Sequence, residues 1–123
     1  MALELIPSKD GKYITMKVTG EINRKLAIEY DQEAHTLGRQ LGINIYLMDL
    51  TESQNTDTVI DNYSFAYDDV REQKLDKAAL VVLLVAEDDH SHDFIETVSQ
   101  NAGLNVVLFR DRVEAERYIR NFK

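Results

Sequence analysis

The stretch "AEDDHSHDF", residues 86–94, sets His90 and His92 two positions apart among four acidic side chains. Imidazoles and carboxylates bind metal ions and move protons near neutral pH. On a regular helix, however, residues i and i+2 point about 200° apart, so both rings cannot face one ion. Joint chelation needs both to precede the helix. With Ser91 as the N-cap, accepting from the amide of Asp93 or Phe94, His90 lies outside the helix and His92 at its first position. Asp93 then complements the positive end of the helix dipole. The segment therefore reads first as a polar capping loop, and second as a partner or small-ligand contact through His90 and His92. Ser91, His92 and Asp93 are no catalytic triad, because neighbours in sequence cannot make the convergent hydrogen bonds that a triad needs. Asp49 and Asp88 are the further groups that an enzyme, or a metal- or anion-binding protein, would use with the two histidines. No catalytic residue, metal ligand or cofactor is assigned. The chain has no Gly-x-Gly-x-x-Gly and no phosphate-loop lysine, and no nucleophile with a positioned base is visible.

The elements that would carry this loop follow from periodicity. Residues 2–7 and 12–19 read as strands, the second with Ile14, Met16 and Val18 on one face. The Asp-Gly in "SKDGK" joins them as an antiparallel hairpin. A helix runs from about Asn23, its cap, to a stop at Gly42. Leu26, Tyr30, Ala34, Leu37 and Leu41 form its buried stripe, Ile22 and Ala27 staple its start, and His35 falls beside the stripe as a surface or boundary residue. "INIYLMDL", residues 43–50, is the third strand. Residues 56–72 read as a second helix. "AALVVLLVA", residues 78–86, is apolar on both faces, as a covered central strand of a parallel sheet must be. A helix over 91–102 buries Phe94, Ile95, Val98 and Ala102 and ends at Gly103, where Leu104 folds back. "NVVLF" is the last strand, and Asp111 with Glu114 opens the last helix. The order is β-β-α-β-α-β-α-β-α. It predicts one α/β domain with a mixed, mostly parallel five-stranded sheet and four helices. In such sheets, ligands gather at the C-terminal ends of the strands, where Asp49, Glu52, Arg110, Asp111 and the histidine loop leave the sheet.

Composition narrows the function. The chain has 123 residues, 44% apolar and 29% charged, which suits one core. The net charge of −8 gives no basic excess for displacing nucleic-acid counterions or docking on anionic membranes. No apolar run is long enough to span a bilayer, and the N-terminus has no basic-then-apolar secretory pattern. Cysteine is absent, so a cytoplasmic location is the expectation. Arg110, Arg112, Arg117, Arg120 and Lys123 outnumber the acids of the last fourteen residues. They complement the C-terminal end of a helix or form a basic docking face for an acidic partner.

Three stretches together resemble the STAS-like domains, and more narrowly the SpoIIAA-like group. They are "VTGEIN" (18–23), "IYLMDLTE" (45–52) and "NAGLNVVLFRDRVEAERYI" (101–119). The resemblance implies a non-enzymatic binding or switching domain that engages a protein partner, itself or a small apolar ligand. The group's phosphorylation switch carries over poorly. Its Asp-Ser-Ser-Gly falls on Asp57, Thr58, Val59 and Ile60, so a valine occupies the phosphorylated position and no glycine follows. Thr58, or Thr56 after a shift, is the remaining acceptor.

Residues 56–72 carry three aromatic side chains in five positions. Val59, Ile60, Tyr63, Ala66, Tyr67 and Val70 share one helical face, as packing on the sheet requires. Phe65 projects to the other side among Asp61, Asn62, Asp68 and Asp69, which marks it as a contact for a partner, a second copy or an apolar ligand. The resemblance implies that this helix faces the partner, with Tyr63, Phe65, Tyr67 and Asp57 joining His90 and His92 as binding residues.

Overall fold

The computed structural model describes residues 2–56 and 78–122. Five strands make one sheet: β1 (Ala2–Pro7), β2 (Ile14–Ile22), β3 (Ile45–Asn55), β4 (Leu80–Val85) and β5 (Asn105–Phe109). They lie side by side in chain order. β1 and β2 pair antiparallel, and every later pairing is parallel. Three helices are described: α1 (Arg24–Leu41), α2 (Asp93–Asn101) and α3 (Arg112–Asn121). This is the mixed α/β sheet that the sequence predicts. The helix expected over 56–72 lies outside the described residues, and with it Asp57, Thr58, Tyr63, Phe65 and Tyr67.

Alternation along the strands builds two cores. Ile14, Met16 and Val18 of β2 and Tyr46, Met48 and Leu50 of β3 face α1, whose Tyr30 and Ala34 are buried against them, and Ile95 of α2 packs on the same cluster. Ile45 and Leu47 of β3 and Leu80, Val82 and Leu84 of β4 face Ala115 and Ile119 of α3. The sheet is thus covered by α1 and α2 on one side and by α3 on the other. β4 lies between β3 and β5, and Leu80, Val82, Leu83, Leu84 and Val85 are buried, which explains why its sequence is apolar throughout.

Local signals act as read at several ends. Asn23 accepts the Leu26 amide at 3.0 Å, and Asp111 accepts the Val113 amide at 2.8 Å. Gly103, at φ 87°, donates to the Gln100 carbonyl, and Leu104 to that of Ser99, the paired bonds of a Schellman ending.

Three details differ from the sequence reading. β2 and β3 run on to Ile22 and Asn55, because their parallel pairing continues beyond the end of β4. Leu41, the last residue of α1, is 49% exposed, where Gly42 ends the helix and turns the chain toward β3. His35 is buried rather than superficial: its ring stacks on Tyr46 at 4.7 Å, and its Nδ1 lies 2.8 Å from the Asp31 carbonyl.

Gly38 sits inside α1, where alanine ordinarily stabilises a helix. Here an added Cβ would collide with the Tyr46 hydroxyl and stand 2.6 Å from the Ile43 carbonyl oxygen, a backbone atom that cannot swing away. Gly38→Ala should therefore destabilise, by about 2–3 kcal/mol in urea unfolding.

Candidate functional site

Between Lys17↔Asp49 and Thr19↔Glu52 the register of β2 and β3 shifts, so β3 carries one extra residue at Leu50–Thr51. That bulge lies where β4 pairing stops, at Leu50↔Val85. It frees the Thr51 amide, which donates to Asp49 Oδ1 at 3.0 Å, and the Thr51 hydroxyl donates to the same oxygen at 2.7 Å. Arg112, the first residue of α3, donates to Asp49 Oδ2. Burial pushes the Asp49 carboxyl upward, but the Thr51 and Arg112 bonds outweigh it and hold the group below the ordinary aspartate range.

Beyond the bulge the alternation of faces inverts, and Ser53 becomes buried at the α2 end of the sheet. His92 Nε2 lies 3.4 Å from the Ser53 carbonyl and 3.5 Å from Asp89 Oδ2. Both neighbours are acceptors, so Nε2 carries the proton. Burial lowers the His92 pKa, against the opposing pull of the Ser53 carbonyl and of Asp89 and Asp93. Asp89 Oδ1 accepts the Ser91 amide at 2.9 Å, and Ser91 Oγ accepts the Asn55 amide at 3.0 Å.

This bond to Asn55 overturns the capping assignment. Ser91 Oγ is occupied by the end of β3, and His92 takes the N-cap position without a side-chain cap bond. The tertiary partner wins because an amide at a strand end has no ladder partner beyond it. His92 is also no solvated loop residue, being 2% exposed, and has no surface to offer a partner. Phe94, expected inside, is 39% exposed.

A second network lies on the surface. Arg110, which directly follows β5, donates through Nη2 to the Asp89 carbonyl at 3.0 Å and to Asp93 Oδ1 at 2.7 Å. His90 Nδ1 lies 2.9 Å from Asp93 Oδ2 and 3.0 Å from Arg110 Nη2. The His90 bond, then Arg110, hold the Asp93 carboxyl low against partial burial. Thr56 donates both its amide, at 3.0 Å, and its hydroxyl, at 3.3 Å, to the Ile22 carbonyl, fastening the ends of β2 and β3.

The four groups considered for chemistry are not brought together. Asp49 faces α3 and is held by Arg112, Asp88 is exposed, His90 lies on the surface and His92 is inside. Among the described residues no three His, Asp or Glu side chains are grouped to hold a metal ion. The sequence reading missed Arg110 and Arg112 as organisers. Their positions directly after a strand, and as the first residue of a helix beyond that strand, are the signal that marks them. The Ser53 hydroxyl and Arg110 Nε are buried with no hydrogen-bond partner among the described residues.

A scan against protein-family models and a search of curated proteins give no match. Solved structures do resemble the chain. An uncharacterised protein of the DUF3478 family with a SpoIIAA-like fold, from Shewanella loihica PV-4, matches with a TM-score of 0.53 and 22% identity. That match covers 96% of this chain and 92% of the other. The anti-sigma factor antagonist SpoIIAA in its unphosphorylated form matches at 0.56 and 14% identity, over 98% and 100% of the two chains. The phosphorylated form of SpoIIAA, described as a Bacillus cell fate determinant, matches at 0.54 and 14% identity, over 94% and 98%. The chain has the SpoIIAA-like α/β fold. Among the described residues no helix is long and apolar enough to cross a membrane.

The buried imidazole makes stability depend on pH. The folded pKa of His92 lies below that of the unfolded chain, about 6.5 for histidine. Between the two values the unfolded state binds more protons, so stability falls as pH drops below the unfolded value. Asp31, whose carboxyl burial pushes up to about 7, works in the opposite sense over part of that range. The comparison with His92→Gln separates them. On acidification from neutrality the wild type should lose urea midpoint relative to the variant, and parallel midpoints would refute the assignment.

Proposed function

We propose that this chain is a non-enzymatic interaction module whose partner-facing surface is the rim at the start of α2. The observation that carries the reading is the state of the rim's charged groups. Asp49, Asp89 and Asp93, with Arg110 and Arg112, are spent on each other and on nearby amides, hydroxyls and imidazoles. They fix loops in place instead of converging on a substrate. Beside them Phe94 and His90 stand in solvent next to the exposed acids Glu87 and Asp88. An apolar ring in an acidic surround on a chain of net charge −8 fits a protein partner with a basic, apolar-centred face. The likeness to an anti-sigma factor antagonist supports a regulatory role for such a contact. The aromatic run at Tyr63, Phe65 and Tyr67, with Asp57, is proposed as a further recognition element on its sequence pattern alone. A small apolar ligand and a second copy are the other occupants to be tested. The reading of a metal or catalytic site at Asp49, Asp88, His90 and His92 has no convergent geometry behind it.

Thr56 is proposed as the point of control. It is exposed at the rim, and phosphorylation of its hydroxyl would end the donation to Ile22 and set a dianion beside that carbonyl. The joined ends of β2 and β3 would loosen. Thr58, two residues on, is the alternative acceptor.

Three experiments test this. Phe94→Ala, Phe65→Ala and Glu87→Lys/Asp88→Lys should each keep the circular dichroism of the wild type. Each should weaken, by about tenfold or more, binding to a partner isolated by crosslinking to the wild type. Equal affinities for all variants would sink the proposed surface. Thr56→Glu should lower the unfolding free energy by about 1 kcal/mol. Incubation with a kinase of the anti-sigma type and mass spectrometry should place phosphate on Thr56, and an unmodified Thr56 and Thr58 would remove the switch.

A further inference from the structure

Among the described residues β5 is an edge strand, and its sequence "NVVLF" has no charge and no proline to discourage a further strand. The other edge, β1, carries Glu4 and ends at Pro7. Backbone groups of alternate residues on a strand point the same way. On β5, Val106 and Leu108 turn theirs away from β4, and both are taken by side chains of α2. The Leu108 amide donates to Glu96 Oε2 at 2.6 Å, and Gln100 Nε2 donates to the Val106 carbonyl at 2.8 Å. The match is geometric. The Val106 carbonyl and the Leu108 amide flank Val107 on the outward side of β5, and Glu96 and Gln100, neighbours one turn apart on α2, reach one each. Chemistry agrees with position: a carboxylate meets the donor and an amide nitrogen meets the acceptor. Neither residue is needed for the inward face of α2, which Val98 and Ser99 supply.

We infer that Glu96 and Gln100 form a guard that closes the β5 edge against a strand from a second copy of the chain. A new strand would need the Leu108 amide and the Val106 carbonyl, and would have to displace both side chains first. Without them, two copies can meet β5 to β5 about a twofold axis and continue one sheet across both.

The test compares Glu96→Ala/Gln100→Ala with the wild type by sedimentation velocity over a range of concentrations, with circular dichroism as the check on folding. The double variant should shift toward dimer mass as concentration rises, while the wild type does not associate through β5. At low concentration its Leu108 amide should exchange about tenfold faster than in the wild type, with the Val107 amide unchanged. Glu96→Gln removes the same charge as Glu96→Ala but keeps an acceptor oxygen, so it should behave as the wild type. Matching sedimentation of the double variant and the wild type would overturn the inference. So would association of Glu96→Gln equal to that of Glu96→Ala, which would assign the effect to lost repulsion. Should the double variant not fold, Glu96→Ala alone removes the acceptor of the Leu108 amide and gives the same readings, and unchanged Leu108 exchange and unchanged mass in it would count against the guard.

Discussion

One carboxylate in an otherwise apolar stretch of β3 constrains the molecule. Asp49 is flanked by Leu47, Met48 and Leu50, all buried, and is itself 4% exposed. A charge there without partners costs several kcal/mol. Its partners come from two directions. Thr51 turns back to one oxygen from its own strand, and Arg112 reaches the other from α3. The second bond dictates topology. Arg112 must stand over β3 although the chain has just left β5, so α3 begins by crossing back over the sheet. Ala115 and Ile119 then fall on the apolar side chains of β3 and β4. The ion pair is better described as a placement device than as net stabilisation, because desolvating Asp49 offsets much of its attraction to the half-exposed Arg112.

The bulge that releases the Thr51 amide has a second effect. It inverts the alternation of β3 and carries the strand five residues past its last pairing with β4. Ser53 and Asn55 are thereby delivered to the beginning of α2. His92 settles against the Ser53 carbonyl, and Ser91 receives the Asn55 amide. The rim is a consequence of one extra residue in one strand.

This explains what could be read in advance. Caps, turns and strand faces depend on neighbours within a few residues, and Asn23, Asp111, Gly42 and Gly103 behave as their types require. The covered β4 was legible because burial on both faces leaves no polar position. Ser91 was misread because its partner is 36 residues away. His35 was misread because position on a helical wheel says nothing of Tyr46 on another element. The bulge itself left no mark, since "LMDLTES" keeps a plausible strand pattern in either register. Asp49, Asp88, His90 and His92 stand at or beyond the strand ends, and their side chains point to different places. Convergence is a property of side-chain direction, and the bulge changes that direction midway.

The α2 helix shows how one short element meets incompatible demands. Ile95, Val98 and Ser99 turn to the sheet. Glu96 and Gln100 lean over the β5 edge. Phe94, two residues before Glu96, projects about 200° around the helix from it, on the flank away from that edge. Closing the edge removes backbone pairing at β5 as a means of recognition. Contacts made at this end of the molecule must then use side chains, and the flank that Phe94 occupies is the one not already committed to β5. Rigid loops around an exposed ring suit that task. Recognition through a fixed surface loses less conformational entropy on binding than recognition through a surface that must first be ordered. On the proposed function, the ion pairs at the rim contribute by holding that surface still.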